Sequence, residues 1–76
     1  MDKYKIQDIL LERGLSKLDK LMEESKEIVT NSVRDLIIYL RERTNKWYEE
    51  AKLEGELKHA ERYYSINQGL NKILNK

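Results

Sequence analysis

Residues 29–51 read VTNSVRDLIIYLRERTNKWYEEA, a segment in which apolar side chains recur every three or four positions. Because an α-helix advances about 100° per residue, this spacing places them on one side of a helix. The same phase extends back to Leu18 and Met22. We therefore predict one long amphipathic helix over about residues 17–52, whose apolar face carries Val29, Val33, Leu36, Leu40, Trp47 and Ala51.

A short helix is predicted before the long one. Ile6, Ile9 and Leu10 have helical spacing, and Gly14 occupies a position typical of a helix C-terminus, where a residue that tolerates positive φ is favoured. The segment Ser16-Lys17-Leu18-Asp19 then has the form of a capping box. These signals place the start of the long helix at about Lys17.

A third helix is predicted after the apolar positions change phase. Gly55 lies at the change, which indicates a turn near residues 53–56 and a final helix over about residues 56–74. The apolar positions of this segment are Leu53, Leu57, Ala60, Tyr64, Leu70 and Leu74. A break at Thr30-Asn31 is the alternative to one long helix, and it would give a monomeric three- or four-helix bundle.

The composition indicates a single all-α domain over residues 1–76. Charged residues make up 38% of the chain, while proline is absent and only three glycines interrupt helical patterns. The absence of cysteine excludes disulfides and thiolate metal sites, so a small core needs other support. No apolar run is long enough for a signal peptide or a membrane span, which predicts a cytoplasmic protein that does not enter membranes.

The length of the predicted helix favours a homodimer. A helix over residues 17–52 would be roughly 54 Å long, whereas a compact chain of this size is only about 30 Å across. Part of its apolar face would then lie in water unless a second copy covered it in a helical-hairpin or coiled-coil arrangement. The residues predicted to form this dimer seam are Val29, Val33, Leu36, Leu40 and Trp47.

Catalytic and cofactor sites are not indicated by any motif. His59 is the sole histidine, and a single imidazole with one carboxylate makes an incomplete metal site, so we interpret it as a surface residue. The acidic pairs at 23–24 and 49–50 diverge around a helix and cannot act together as acid and base. We predict a non-enzymatic protein without cofactor, metal or small-molecule substrate.

Basic and aromatic side chains gather on the outward side of the predicted long helix. Such a surface suits an acidic protein or RNA, because arginine pairs with phosphate and tyrosine stacks on unpaired bases. The net charge of only +1 is weak for a nucleic-acid binder, and a solvated helix face is the simplest interpretation. The candidate binding residues are Arg34, Arg41, Arg43, Asn45, Lys46, Tyr48 and Lys52.

Three functional hypotheses follow from these patterns. The first is a regulatory protein that acts on a macromolecular partner, a host protein above all, through a dimeric helix surface. The second is an RNA-binding protein, and the third is a passive oligomerisation element. The small size and the bias toward lysine, isoleucine and asparagine resemble accessory proteins of AT-rich bacteria and their phages, which implies a modulator of a host process.

Overall fold

Three α-helices make up the fold in a computed structural model that describes residues 2–25 and 31–75. Helix α1 spans Lys3–Ser25, α2 spans Asn31–Leu53 and α3 spans Leu57–Leu74. No strand occurs in these two ranges. The prediction of an all-α chain is therefore confirmed for the described residues.

Helices α1 and α2 lie antiparallel, so the predicted long helix is wrong. Gly14 of α1 lies against Leu40 of α2, and Lys3 at the start of α1 forms an ion pair with Glu54 beyond the end of α2. An unbroken helix would separate Gly14 from Leu40 by about 39 Å. The alternative break next to Asn31 agrees with the start of α2, while Thr30 lies outside the described residues.

The predicted helix end at Gly14 is also wrong, because α1 continues through it. The buried positions Tyr4, Leu11 and Leu18 recur every seven residues on both sides of Gly14, so one face of α1 enters the core along its length. Gly14 instead allows a close approach of two helices, since an added Cβ would lie 2.5 Å from Leu40 Cδ2. The capping box at Ser16 does not form a helix start.

The turn between α2 and α3 confirms the break that was predicted near Gly55. Gly55 has a φ of 78°, in the left-handed region that favours glycine. Its amide donates to the Lys52 carbonyl at 3.3 Å, and the Glu56 amide donates to the Ala51 carbonyl at 2.8 Å. This pair of bonds is a Schellman motif, which satisfies carbonyls at the end of α2 and reverses the chain.

One core contains side chains from all three helices. Trp47 and Tyr63 pack at its centre with ring centroids 5.8 Å apart. The other buried apolar residues are Tyr4, Leu11, Leu18, Val33, Ile37, Leu40, Ala51, Ala60 and Leu70. In α3 the inward tyrosine is Tyr63 and not the predicted Tyr64, because the residues at 60, 63 and 70 face α1 and α2.

The described residues of the predicted dimer seam pack within a single chain. Val33, Leu40 and Trp47 are buried, and Leu36 packs against the same core. Val29 lies outside the described residues. The folded hairpin of α1 and α2, with α3 alongside, removes the overhang from which the seam was inferred. A dimer interface therefore cannot be built on the buried side chains of Val33, Leu40 and Trp47.

Candidate partner-binding surfaces

The candidate binding residues lie on two sides of α2. Tyr48 and Lys52 line a groove together with α3 residues, whereas Arg43 lines a separate groove together with α1 residues. Helical periodicity places Arg34, Arg41 and Asn45 on the side of Tyr48 and Lys52, and Lys46 on the side of Arg43. Arg34, Arg43, Asn45, Lys46 and Lys52 are exposed, while Arg41 and Tyr48 are half-buried.

The first groove, which we call the α2–α3 groove, holds two paired tyrosines. The rings of Tyr48 and Tyr64 lie 5.7 Å apart at an interplanar angle of 43°, and the Lys52 ammonium stands 5.8 Å above the Tyr48 ring. Half-exposed rings in contact keep apolar area at the surface while they restrict each other's rotamers. The residues that line this groove are Tyr48, Lys52, Leu57, Ala60, Glu61 and Tyr64.

Leucines at the end of the α2–α3 hairpin are unusually exposed. Leu53 is 87% exposed and Leu57 is 66% exposed. Both were predicted to face inward, but α2 ends at Leu53, before the turn at Gly55, and Leu57 begins α3 facing the α2–α3 groove. Leu57 extends the apolar lining of the α2–α3 groove to the tip of the hairpin.

A polar network connects α2 to α3 at the other end of that groove. Asn67 Nδ2 donates to the Arg41 carbonyl at 2.9 Å and to Thr44 Oγ1 at 3.2 Å. Arg41 itself donates to Asn71 Oδ1 at 3.4 Å, and Asn71 donates to Asn67 Oδ1. Arg41 therefore contributes to helix packing as well as to the surface charge, which its sequence position did not indicate.

The second groove, which we call the α1–α2 groove, lies between those two helices. The Arg43 guanidinium stands over the Tyr39 ring, 5.3 Å from its centroid. Tyr39 is 52% exposed and Leu10 is 51% exposed, so the lining is apolar and accessible. The residues that line this groove are Leu10, Gly14, Leu36, Tyr39, Leu40, Arg43 and Trp47.

An outward apolar face on α1 adjoins this second groove. Ile6 and Ile9, whose helical spacing indicated the first helix, are exposed by 41% and 43%. The core instead takes the neighbouring face with Tyr4, Gln7 and Leu11. Both faces of α1 have apolar residues at helical spacing, so the pattern alone could not identify the buried one.

Ionic contacts join the first turn of α1 to the end of α2. Lys3 Nζ lies 3.3 Å from Glu50 and 2.8 Å from Glu54, and the Tyr4 hydroxyl donates to Glu54. The hydrogen bond from Lys3, followed by that from Tyr4, lowers the pKa of Glu54 from its ordinary value of 4.5. The hydrogen bond to Glu54, with further desolvation, raises the pKa of Tyr4 to about 12. These contacts hold α1 to α2.

His59 lies against an aromatic ring and not in a metal site. Its imidazole stacks on Tyr4 with centroids 4.4 Å apart and planes within 9°. It is half-buried, so the interpretation as a plain surface residue was incomplete. Across residues 2–25 and 31–75, no group of three histidine, cysteine or acidic side chains is placed to hold a metal ion.

The comparison with known proteins adds no functional assignment. No protein-family model, no curated protein sequence and no solved structure matches this chain. Within the described part of the chain, no helix has the length and apolar character needed to cross a bilayer.

Proposed function

We propose that this protein is a non-enzymatic, homodimeric binding module that presents helix faces to a macromolecular partner. The observation that carries the proposal is the apolar surface at the end of the α2–α3 hairpin, where Leu53 and Leu57 are 87% and 66% exposed. Leu57 also joins Tyr48 and Tyr64 in the lining of the α2–α3 groove. Exposed apolar patches of this kind mark interaction sites in soluble proteins. Neither leucine belongs to the core that folds the chain.

A second copy is the occupant that the α2–α3 groove fits best. Lys52 and Glu61 both line the groove and have opposite charges. In a two-fold symmetric contact the same surface meets itself, so Lys52 of one protomer can face Glu61 of the other. Tyr48, Leu57 and Tyr64 supply the apolar centre that such an interface needs. This proposed interface differs from the dimer seam that was predicted from the sequence.

Sedimentation equilibrium tests the dimer. We expect the unmodified chain to sediment as a dimer and the double variant Leu57→Glu/Tyr64→Glu to sediment as a monomer of unchanged helicity. Ile6→Glu/Ile9→Glu is the matched control, because it places the same two charges on exposed apolar positions of α1. A monomeric unmodified chain at about 100 μM, well above the Kd of a specific dimer, would refute the proposed dimer.

RNA binding is the second candidate function. Arg34, Asn45 and Lys52 lie exposed along one side of α2, in line with the half-buried Tyr48. Two features favour a protein partner instead: Tyr48 is already packed on Tyr64, and Glu61 places a carboxylate in the same groove. Binding of a single-stranded RNA that weakens steeply with added salt would favour the RNA alternative.

A further inference from the structure

The α1–α2 groove lies on a side of the helical bundle that no other helix of the described chain covers. Helix α3 covers one side of the α1–α2 pair, and the opposite side carries the exposed residues Ile6, Leu10 and Tyr39. The groove has a volume of about 260 Å³. This lies below the roughly 300–1,000 Å³ of small-molecule sites, so the groove suits anchoring side chains of a macromolecule.

The charged side chain that lines this groove is a cation, and further cations lie on the adjoining face of α1. Arg43 lines the groove, and Arg13, Lys17 and Lys20 follow Ile9 along the outward face of α1. Within residues 2–25 and 31–75, none of these four cations forms an ion pair with a carboxylate. Glu12, an acidic residue of the same α1 surface, lies 3.7 Å from Arg62 of α3. The groove therefore has an apolar centre, with Arg43 in its lining and Arg13 and Lys17 on the adjoining face of α1.

We propose that the α1–α2 groove binds an acidic amphipathic helix of another protein. Its apolar residues would insert between α1 and α2 beside Leu10 and Tyr39, and its carboxylates would pair with Arg13, Lys17 and Arg43. An amphipathic helix in a hydrophobic groove is a recurrent recognition mode, and here it would complete a four-helix arrangement. This inference rests on the proposed binding function and names the partner's chemistry.

Charge and shape separate this partner from the other occupants. A second copy that docked through the same face would bring Arg13, Lys17 and Arg43 against their own equivalents, which costs free energy. A bilayer surface is flat, whereas this groove is concave and accepts a ridge of side chains. RNA gains little base stacking from the groove, because Trp47 is buried and Arg43 covers the ring of Tyr39.

A pair of designed peptides tests the inference with the full chain. The first is a helix of about 18 residues, roughly 27 Å long, with leucine at every third or fourth position and glutamate elsewhere. The second has lysine in place of every glutamate. By fluorescence anisotropy we expect the glutamate peptide to bind the unmodified chain at one peptide per chain with micromolar affinity, and the lysine peptide not to bind.

Three variants locate the binding site. Leu10→Glu should weaken the glutamate peptide about tenfold or more, because it charges the apolar centre of the groove. Arg13→Glu/Lys17→Glu should weaken it similarly and should gain affinity for the lysine peptide, which loss of folding would not produce. Tyr64→Glu, on the α2–α3 groove, should bind the glutamate peptide like the unmodified chain.

The outcomes separate this inference from the proposed dimer. If Leu57→Glu/Tyr64→Glu is monomeric and still binds the glutamate peptide, both proposals stand. If the unmodified chain is monomeric yet binds the peptide at the α1–α2 groove, only the dimer fails. No binding at about 100 μM, equal binding by Leu10→Glu, or preference for vesicles of anionic lipid over the peptide would each overturn the acidic-helix inference.

Discussion

Leu40 of α2 lies directly against the backbone of Gly14 in α1. A Cβ atom at position 14 would be 2.5 Å from Leu40 Cδ2 and 3.4 Å from Cδ1 and Cγ. Non-bonded carbon atoms do not approach each other to 2.5 Å. Any side chain at position 14 therefore displaces Leu40 from a site where it is 3% exposed. The separation of α1 and α2 therefore depends on a glycine.

We predict that Gly14→Ala is less stable than Gly69→Ala by about 1–3 kcal/mol in chemical unfolding, because the Leu40 side chain must repack. Both substitutions replace glycine within a helix, and both gain roughly 0.5–1 kcal/mol from helix propensity. A Cβ at Gly69 meets no atom within 4 Å, so that variant measures the propensity gain alone. Equal stability of the two variants would contradict the close approach at Leu40.

The interior of the bundle also contains a hydrogen bond between α3 and α1. The Tyr63 hydroxyl donates to Gln7 Oε1 at 3.1 Å, with Tyr63 fully buried and Gln7 8% exposed. Burial, followed by the nearby Asp8 carboxylate, raises the pKa of Tyr63 to about 12. The phenol thus stays protonated and donates across the physiological pH range.

We predict that Tyr63→Phe lowers the free energy of unfolding by about 1–3 kcal/mol, because it leaves the Gln7 carbonyl buried without its donor. Tyr64→Phe is the matched control: Tyr64 is 52% exposed, and its loss of a hydroxyl should change stability by less than about 0.5 kcal/mol. Urea unfolding followed by circular dichroism measures both. A Tyr63→Phe variant as stable as the control would show that Gln7 reaches solvent or another donor.

A partly buried polar contact between α2 and α3 provides a third prediction. Asn67 Nδ2 donates to both the Arg41 carbonyl and the buried Thr44 hydroxyl. We expect Asn67→Ala to reduce the free energy of unfolding by about 1–3 kcal/mol, although alanine is the better helix former. Gln68→Ala, at the adjacent exposed position, should be neutral or slightly stabilising. A stabilised Asn67→Ala would mean that helix propensity outweighs the interhelical bonds.

The periodicity of the sequence predicted the inner face of α2 but not the reversal before it. Val33, Leu40 and Trp47 are all buried, because their spacing follows from the geometry of a single helix. Leu18 belongs to α1 and faces the same core. The apolar positions therefore keep the same spacing along the sequence, although the two helices run in opposite directions. Side-chain phase carries no information on chain direction, and the predicted long helix was wrong for that reason.

The candidate surfaces depend on contacts between distant parts of the chain, which spacing along one helix cannot reveal. Tyr48 was identified from α2 alone, yet its neighbour Tyr64 comes from α3. Arg43 was grouped with Tyr48, although it lies in the other groove beside Leu10. Position 14 likewise admitted two roles for glycine, and only the presence of Leu40 opposite it decides between them.

The contacts of Glu54 lead to a prediction about acid stability. Lys3 and Tyr4 both donate to this carboxylate and lower its pKa below 4.5 in the folded protein. A group whose pKa is lowered by folding contributes stability above its unfolded pKa, and that contribution is lost as the pH falls through the folded value. We therefore expect Glu54→Gln to lower the Tm at neutral pH, and the difference from the unmodified chain to disappear in strongly acidic solution.

Glu49→Gln provides the control for this pH dependence. It removes the same charge from an exposed position of α2, and Glu49 forms no ion pair within residues 2–25 and 31–75. Its Tm should therefore follow that of the unmodified chain across the acidic range. Because α1 is held at its first turn by Lys3 and Tyr4, hydrogen exchange should show faster opening of α1 in Glu54→Gln at neutral pH and not in Glu49→Gln. A pH-independent difference between the Glu54 variant and the unmodified chain would instead assign the lost stability to altered packing and not to the carboxylate charge.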